Sequence, residues 1–174
     1  KGRWTKSKKL QILQSREYST KSLVTALTTL PNPPLKVIMA SAVGYYGDRG
    51  DEELTDSSIR GEGFLADVSE AWENAAHPLT NAGISVIPLR LGLVLSSQGG
   101  ALKELLLPWS LGLGTKIGDG SQWWPWIHIE DVIGLIDHAL NGHIKDGPIN
   151  AVAPESVTQR HFAKELARAL HRPQ

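Results

Sequence analysis

From Thr5 to about Leu27, apolar residues Leu10, Leu13, Leu23, Val24 and Leu27 recur near the helical period, and Pro31, Pro33 and Pro34 end the pattern, so the chain is expected to open with a long helix and a turn. Leu35 to Ala40 is a short apolar run carrying Val37 and Ile38, the pattern of a strand covered on both faces. A Gly- and Asp-rich loop from Gly44 to Gly61 follows, then an expected helix over about Phe64 to Ala82, ending at Gly83 where a left-handed cap fits. Ile84 to Leu89 reads as a second buried strand. Gly99 and Gly100 open a helix through about Leu111, and Gly112, Gly114, Gly118 and Gly120 punctuate a loop. Ile129 to Leu140 reads as an amphipathic helix, Ile149 to Val152 as a short strand, and Thr158 to Leu170 as a last helix with Thr158 as its cap. Helix and strand alternate, which predicts α/β crossover units on a mostly parallel sheet; no internal repeat or low-complexity segment competes with this reading.

Composition narrows the function. The 174 residues are 41% hydrophobic, enough for one core, and the longest apolar stretch, Ile84 to Leu95, is interrupted by Pro88 and Arg90 and falls short of a bilayer span. Eighteen basic residues balance eighteen acidic ones, which removes a global pull toward nucleic acid or anionic membrane. The local basic cluster of Lys1, Arg3, Lys6, Lys8 and Lys9 reads as a solvated helix face. Cysteine is absent, which excludes disulfides and thiol nucleophiles and is compatible with a reducing cytoplasmic setting. The six histidines are scattered without ligand spacing, so no metal is expected. The chain begins with Lys and has no charged-then-apolar leader, so a piece of a longer protein is expected.

Four motifs carry a family resemblance. They are Arg3-Trp4-Thr5 with Ser15-Arg16 and Thr20; Ser41-Ala42-Val43-Gly44-Tyr45-Tyr46-Gly47; Pro88-Leu89-Arg90-Leu91-Gly92-Leu93-Val94-Leu95 with Gly99-Gly100; and Trp124-Pro125-Trp126-Ile127-His128-Ile129-Glu130-Asp131-Val132. In this order and spacing the chain resembles the nucleotide-sugar-epimerase-like "epimerase family" among extended short-chain dehydrogenase/reductases. The resemblance implies an incomplete Rossmann-type, doubly wound parallel sheet. Residues 1–174 would be its later half plus part of a substrate lobe, at about 99–128 and 149–174. Such proteins open with a strand, a Gly-rich turn and a helix that hold the cofactor pyrophosphate, and no such motif occurs here.

The resemblance also frames the chemistry. Extended reductases use a Ser or Thr, a Tyr, and a Lys four residues after the Tyr, for proton exchange during hydride transfer. Aligning Glu73 with the Glu after that Lys places Leu65 at the Tyr and Ser69 at the Lys, while Ala42 or Ser41 falls at the hydroxyl position. Ser41 and Tyr46 are therefore the catalytic candidates, with Tyr45 and His128 nearby. For the tyrosines, packing at a strand end is the competing role; for His128, fixing a loop. Arg16, at the Asn of the family's Asn-Val-x-Gly-Thr helix motif, and Gln11, five residues earlier on the same rim, are expected to face cofactor, as are Ser41 and Val94. The Arg16 alternative is a surface guanidinium. Gln122, Trp124 and His128 are expected at a substrate. Trp123, Trp124 and Trp126 around Pro125 could stack on a sugar or a base, or simply pack.

The function implied is NAD(P)-dependent oxidoreduction or epimerisation of a small polar substrate, a nucleotide sugar included, with NAD or NADP as cofactor and NADP slightly favoured. The alternative is a non-catalytic, dinucleotide-binding regulator. A small-molecule substrate, no nucleic acid, no membrane and a homodimer complete the expectation.

Overall fold

The computed structural model describes residues 3–111, 114 and 117–172; Lys1 of the basic cluster and Gly112 of the glycine loop lie outside them. Helix α1 (Lys6–Thr28) begins where Thr5 accepts a hydrogen bond from the Lys8 backbone N–H at 3.2 Å, an N-cap that satisfies one orphan donor. Strand β1 (Lys36–Ala42) runs into a 3-10 turn at Val43–Tyr46. Helices α2 (Phe64–Asn74) and α3 (His77–Asn81) occupy the stretch expected to form one helix. Pro78 explains the break, because it lacks an N–H and its ring would collide with the carbonyl four residues earlier. At the end of α3 the Gly83 N–H bonds to Thr80 O and the Ile84 N–H to Leu79 O, both at 3.0 Å, with Gly83 at φ +79°. This is a Schellman cap, and Leu79 and Ile84 pack together beneath it.

Strand β2 (Ser85–Leu91) is followed by β3 (Leu93–Leu95) and α4 (Gly100–Ser110). Then come β4 (Trp123–Trp124), β5 (Trp126–His128), α5 (Ile129–Leu140), β6 (Ile149–Ala151), β7 (Val157–Thr158) and α6 (Gln159–Ala169), the last capped by Thr158, which accepts from the His161 N–H. The parallel sheet has the order β1-β2-β6. Strand β3 pairs in parallel with β5, and β4 pairs antiparallel with β7. The short strands β4, β5 and β7 carry no periodic signal, since two or three residues are too few to show alternation.

The chain divides into two compact units. The first (3–49, 53–90 and 137–150 of the described residues) holds the sheet's core, where Val24, Ala76, Leu79 and Ile84 pack with Leu27, Val37, Met39 and Val86. Within it, Lys36 Nζ donates to Ala139 O at 2.7 Å, a cation on the last turn of α5. The second unit (50–52, 91–136 and 151–172, less the residues left undescribed) has its own core, in which Trp109 of α4 packs on Ala163 and Ala167 of α6. The described residues of the stretches expected as a substrate lobe, about 99–128 and 149–174, lie in this second unit except for 149–150. Among the described residues no helix is long and apolar enough to cross a membrane, and no group of three His, Asp or Glu is placed to hold a metal ion.

Candidate functional site

Arg90 sits near the end of β2 inside a run of buried apolar neighbours, and a cation taken out of water there demands partners. Its Nε and Nη2 donate to the two carboxylate oxygens of Glu73 on α2, each at 2.9 Å, a bidentate pair with side-chain exposures of 4% and 12%. Nη1 donates to the Tyr46 hydroxyl at 2.8 Å, and the guanidinium carbon lies 3.6 Å from the centre of the Tyr45 ring. Burial works against the charge, but the hydrogen bonds with Glu73 and Tyr46 and the carboxylate's field outweigh it, so the Arg90 pKa is raised.

The cluster extends further. Ser41, 2% exposed at the end of β1, donates its hydroxyl to Glu73 Oε1 at 2.6 Å. The Tyr46 hydroxyl, on a residue equally buried, reaches Asn150 Oδ1 at 2.6 Å and Thr55 O at 3.0 Å. The Asn150 backbone N–H in turn donates to Asp56 Oδ1 at 2.6 Å. Through Glu73 and Tyr46 the arginine therefore links β1, β2 and β6 with α2 and the 54–58 loop. Gly61 belongs to the same construction: its N–H donates to Tyr45 O, and a Cβ there would stand 1.8 Å from Tyr46 O. Both catalytic candidates, Ser41 and Tyr46, thus lie in one place, with their hydroxyls engaged by this network.

The other residues singled out in the first unit are on α1. Arg16 is exposed, donates to Ser15 Oγ at 2.9 Å and lies 5.7 Å from the Trp72 ring centre. Gln11 is exposed too, but five residues of continuous helix set it about 140° from Arg16 around the axis, so the two do not share one rim. At the aligned acid–base positions, Leu65 is 49% exposed and Ser69 is buried. Neither side chain exchanges protons near neutral pH.

In the second unit, Val94 is half-buried and pairs with Ile127 across β3 and β5. His128 is exposed, and its Nδ1 accepts from the Glu130 N–H at 3.3 Å, which steadies the start of α5. Gln122 spends its amide on Ile117 O at 3.0 Å. Trp124 packs on Phe162 with ring centres 5.2 Å apart. Strand alternation sends its neighbour the other way: Trp123 is 44% exposed, with its indole N–H donated to Asp51 Oδ1 at 2.7 Å.

Sequence reasoning missed Glu73 and Arg90 as interacting groups, although Arg90 stood in a motif used for the resemblance and Glu73 anchored the alignment of the acid–base positions. The signal was available, since a charge inside a buried strand run requires a countercharge. Asn150, Asp56 and Asp51 carried no such signal, because their partners are remote in the chain.

A parallel sheet flanked by helices, with strand order β1-β2-β6, is an α/β arrangement of the Rossmann type. The chain is similar over nearly its whole length to epimerase family proteins. It is 37% identical to human epimerase family protein SDR39U1 over 98% of the chain, and 36% identical to YfhF of Bacillus subtilis over 99%. It spans 58% and 57% of those proteins' lengths. Among solved structures, human SDR39U1 with NADPH matches at TM-score 0.91 over 98% of the chain and 58% of its own. A nucleoside-diphosphate sugar epimerase of Corynebacterium glutamicum matches at TM-score 0.84 with 40% identity, over 98% of the chain and 38% of its own. No family model matches the chain.

Proposed function

We propose that this chain is part of an NAD(P)-dependent, epimerase- or reductase-like protein acting on a small polar substrate of the nucleotide-sugar kind. The observation that carries this is the similarity to the human protein solved with NADPH, 37% identical at TM-score 0.91. That relative also supports NADP over NAD.

Two residues, one in each unit, support the dinucleotide reading. Arg16 offers an exposed guanidinium for a phosphate oxygen, and Val94 in β3 offers apolar surface for a nicotinamide. The sequence holds no strand, Gly-rich turn and helix unit for the pyrophosphate. When bound, the cofactor would supply the hydride chemistry. The chain's own contribution would be to position it, with the Arg90 network holding the strand ends of the first unit rigid.

A second reading, a dinucleotide-binding regulator without turnover, is favoured by one feature: Leu65 and Ser69 stand where the Tyr and Lys belong, while the Ser41 and Tyr46 hydroxyls are already engaged. Calorimetric titration with NADPH and NADH, followed by nicotinamide absorbance with a panel of nucleotide sugars, separates the two in the protein of relative-like length. Turnover supports the enzyme; binding without turnover across the panel supports the regulator. Arg16→Ala should weaken NADPH binding about tenfold, the share of one charged hydrogen bond, and no binding of either dinucleotide would overturn both readings.

A further inference from the structure

The carboxyl end of α5 brings together two histidines that the chain order keeps apart. His138 lies in the last turn of the helix and His143 five residues on, a separation that on a continuous helix would set the two side chains about 140° apart around the axis. The helix does not continue. Gly142 takes φ +80°, its N–H donates to Ala139 O at 3.3 Å, and the His143 N–H turns back to His138 O at 3.2 Å, the paired bonds of a Schellman cap. This reversal lays His143 against the last turn. The two imidazole centres stand 4.6 Å apart, with their planes inclined by 32°. Both residues are exposed, and among the described residues no hydrogen bond occupies a ring nitrogen of either.

We infer that His138 and His143 form a two-imidazole site for a divalent transition-metal ion of the Ni²⁺, Cu²⁺ or Zn²⁺ kind, with water in the remaining coordination positions. The ring separation carries the inference. A metal–nitrogen bond of about 2.0–2.1 Å puts an imidazole centre about 3.2 Å from the ion, so two ligands subtending about 90–110° have centres about 4.5–5.2 Å apart. The observed 4.6 Å lies inside that interval. Rotation about χ2, which is soft in histidine, then suffices to turn one nitrogen of each ring onto a common ion. Imidazole suits these metals, whereas Mg²⁺ and Ca²⁺ want oxygen ligands that the pair does not supply. The local field also favours a cation. The end of α5 is the negative pole of the helix dipole, and one of its carbonyls, Ala139 O, already holds the Lys36 ammonium at 2.7 Å. Spacing along the chain argued against any metal, because it counts residues on an unbroken helix and the turn at Gly142 breaks that count. The inference goes beyond the dinucleotide reading and does not depend on it, since the pair needs no cofactor to bind an ion.

The test is calorimetric titration of the full 174-residue chain, prepared without a histidine tag, with nickel and zinc chloride and with magnesium chloride as the oxygen-seeking control. Nickel or zinc should bind at a single leading site, and magnesium should not. In His138→Gln and in His143→Gln, both exposed changes, the affinity should fall about tenfold or more. His161→Gln, which removes an exposed histidine of α6, should leave it unchanged. Nitrogen-detected NMR of the histidine rings should show His138 and His143 shifting together as the site fills. The inference is overturned if neither nickel nor zinc binds, if either substitution in the pair leaves the affinity unchanged, if the two rings do not shift together, or if His161→Gln weakens binding as far as they do.

Discussion

Each unit of this chain contains a pair of adjacent aromatic residues, and the two pairs are used differently. Tyr45 and Tyr46 follow β1, their rings 5.4 Å apart and edge-to-face, with Arg90 against both. The polar tip of Tyr46 is buried, so it has to be satisfied inside the protein, and it is, by Arg90, Asn150 and the Thr55 carbonyl. Trp123 and Trp124 form β4, where alternation separates them: Trp124 packs, and Trp123 remains in solvent with its N–H tied to Asp51. An aromatic whose polar tip and ring are both enclosed acts as a structural anchor. One whose tip is fixed but whose ring is partly exposed keeps part of its apolar surface in water. The contrast shows that a pair of neighbouring aromatics says little until burial and the partner of each polar atom are known.

The contrast can be broken most severely at Arg90. Replacing it with Ala leaves Glu73 largely buried without a countercharge, and a loss of about 3–5 kcal/mol is expected in urea denaturation. A loss below about 1 kcal/mol would mean that the network does not anchor the first unit. In the second unit, Trp124→Ala removes a half-buried ring from Phe162 and should destabilise by about 2–4 kcal/mol, whereas Trp123→Ala should stay within about 0.5 kcal/mol of the parent. Equal effects would erase the distinction between packed and displayed tryptophan. Tyr46→Phe is a finer probe. It deletes one hydroxyl and strands a donor on Arg90 and an acceptor on Asn150, so about 1–3 kcal/mol should be lost, while Tyr45→Phe, whose ring still underlies Arg90, should lose less.

The smallest expected effect lies in the turn leading to β4. Asp119 accepts from the Ser121 backbone N–H at 2.9 Å and the Ser121 hydroxyl at 2.8 Å, and these bonds, with help from Arg160, hold its pKa below the ordinary carboxylate value. A depressed folded-state pKa gives stability that is present above the unfolded pKa and is lost as pH falls through the folded one. The stability difference between parent and Asp119→Asn should therefore be largest near neutral pH and shrink in acid, below about pH 4. A difference that grows on acidification would contradict the hydrogen-bonded turn.

Much of the fold was legible in the chain, for reasons particular residues make plain. Helix α5 spans Ile129–Leu140 as its apolar spacing predicts, Thr158 caps α6, and Gly83 takes the left-handed conformation that ends α3. The strand runs at Val37 and Ile87 lie in adjacent strands of a parallel sheet. The site was less legible. Ser41 and Tyr46 were picked from motif position, but their partners, Glu73 for Ser41 and Arg90 for Tyr46, lie 32 and 44 residues away along the chain. The uninterrupted helix expected over Phe64 to Ala82 also failed at Pro78, where a local steric rule outweighed apolar spacing.

By itself, the sequence determined what short-range physics governs: the period of apolar residues and the caps that Thr and Gly supply. Tertiary structure alone decided which polar atoms are satisfied and which aromatic face stays open. Asp51 lies 72 residues from Trp123, and Asn150 lies 104 from Tyr46. Hydrogen bonds act only over about 3 Å, so a pairing across such separations exists only once the chain has folded and leaves no periodic trace in the order of its residues.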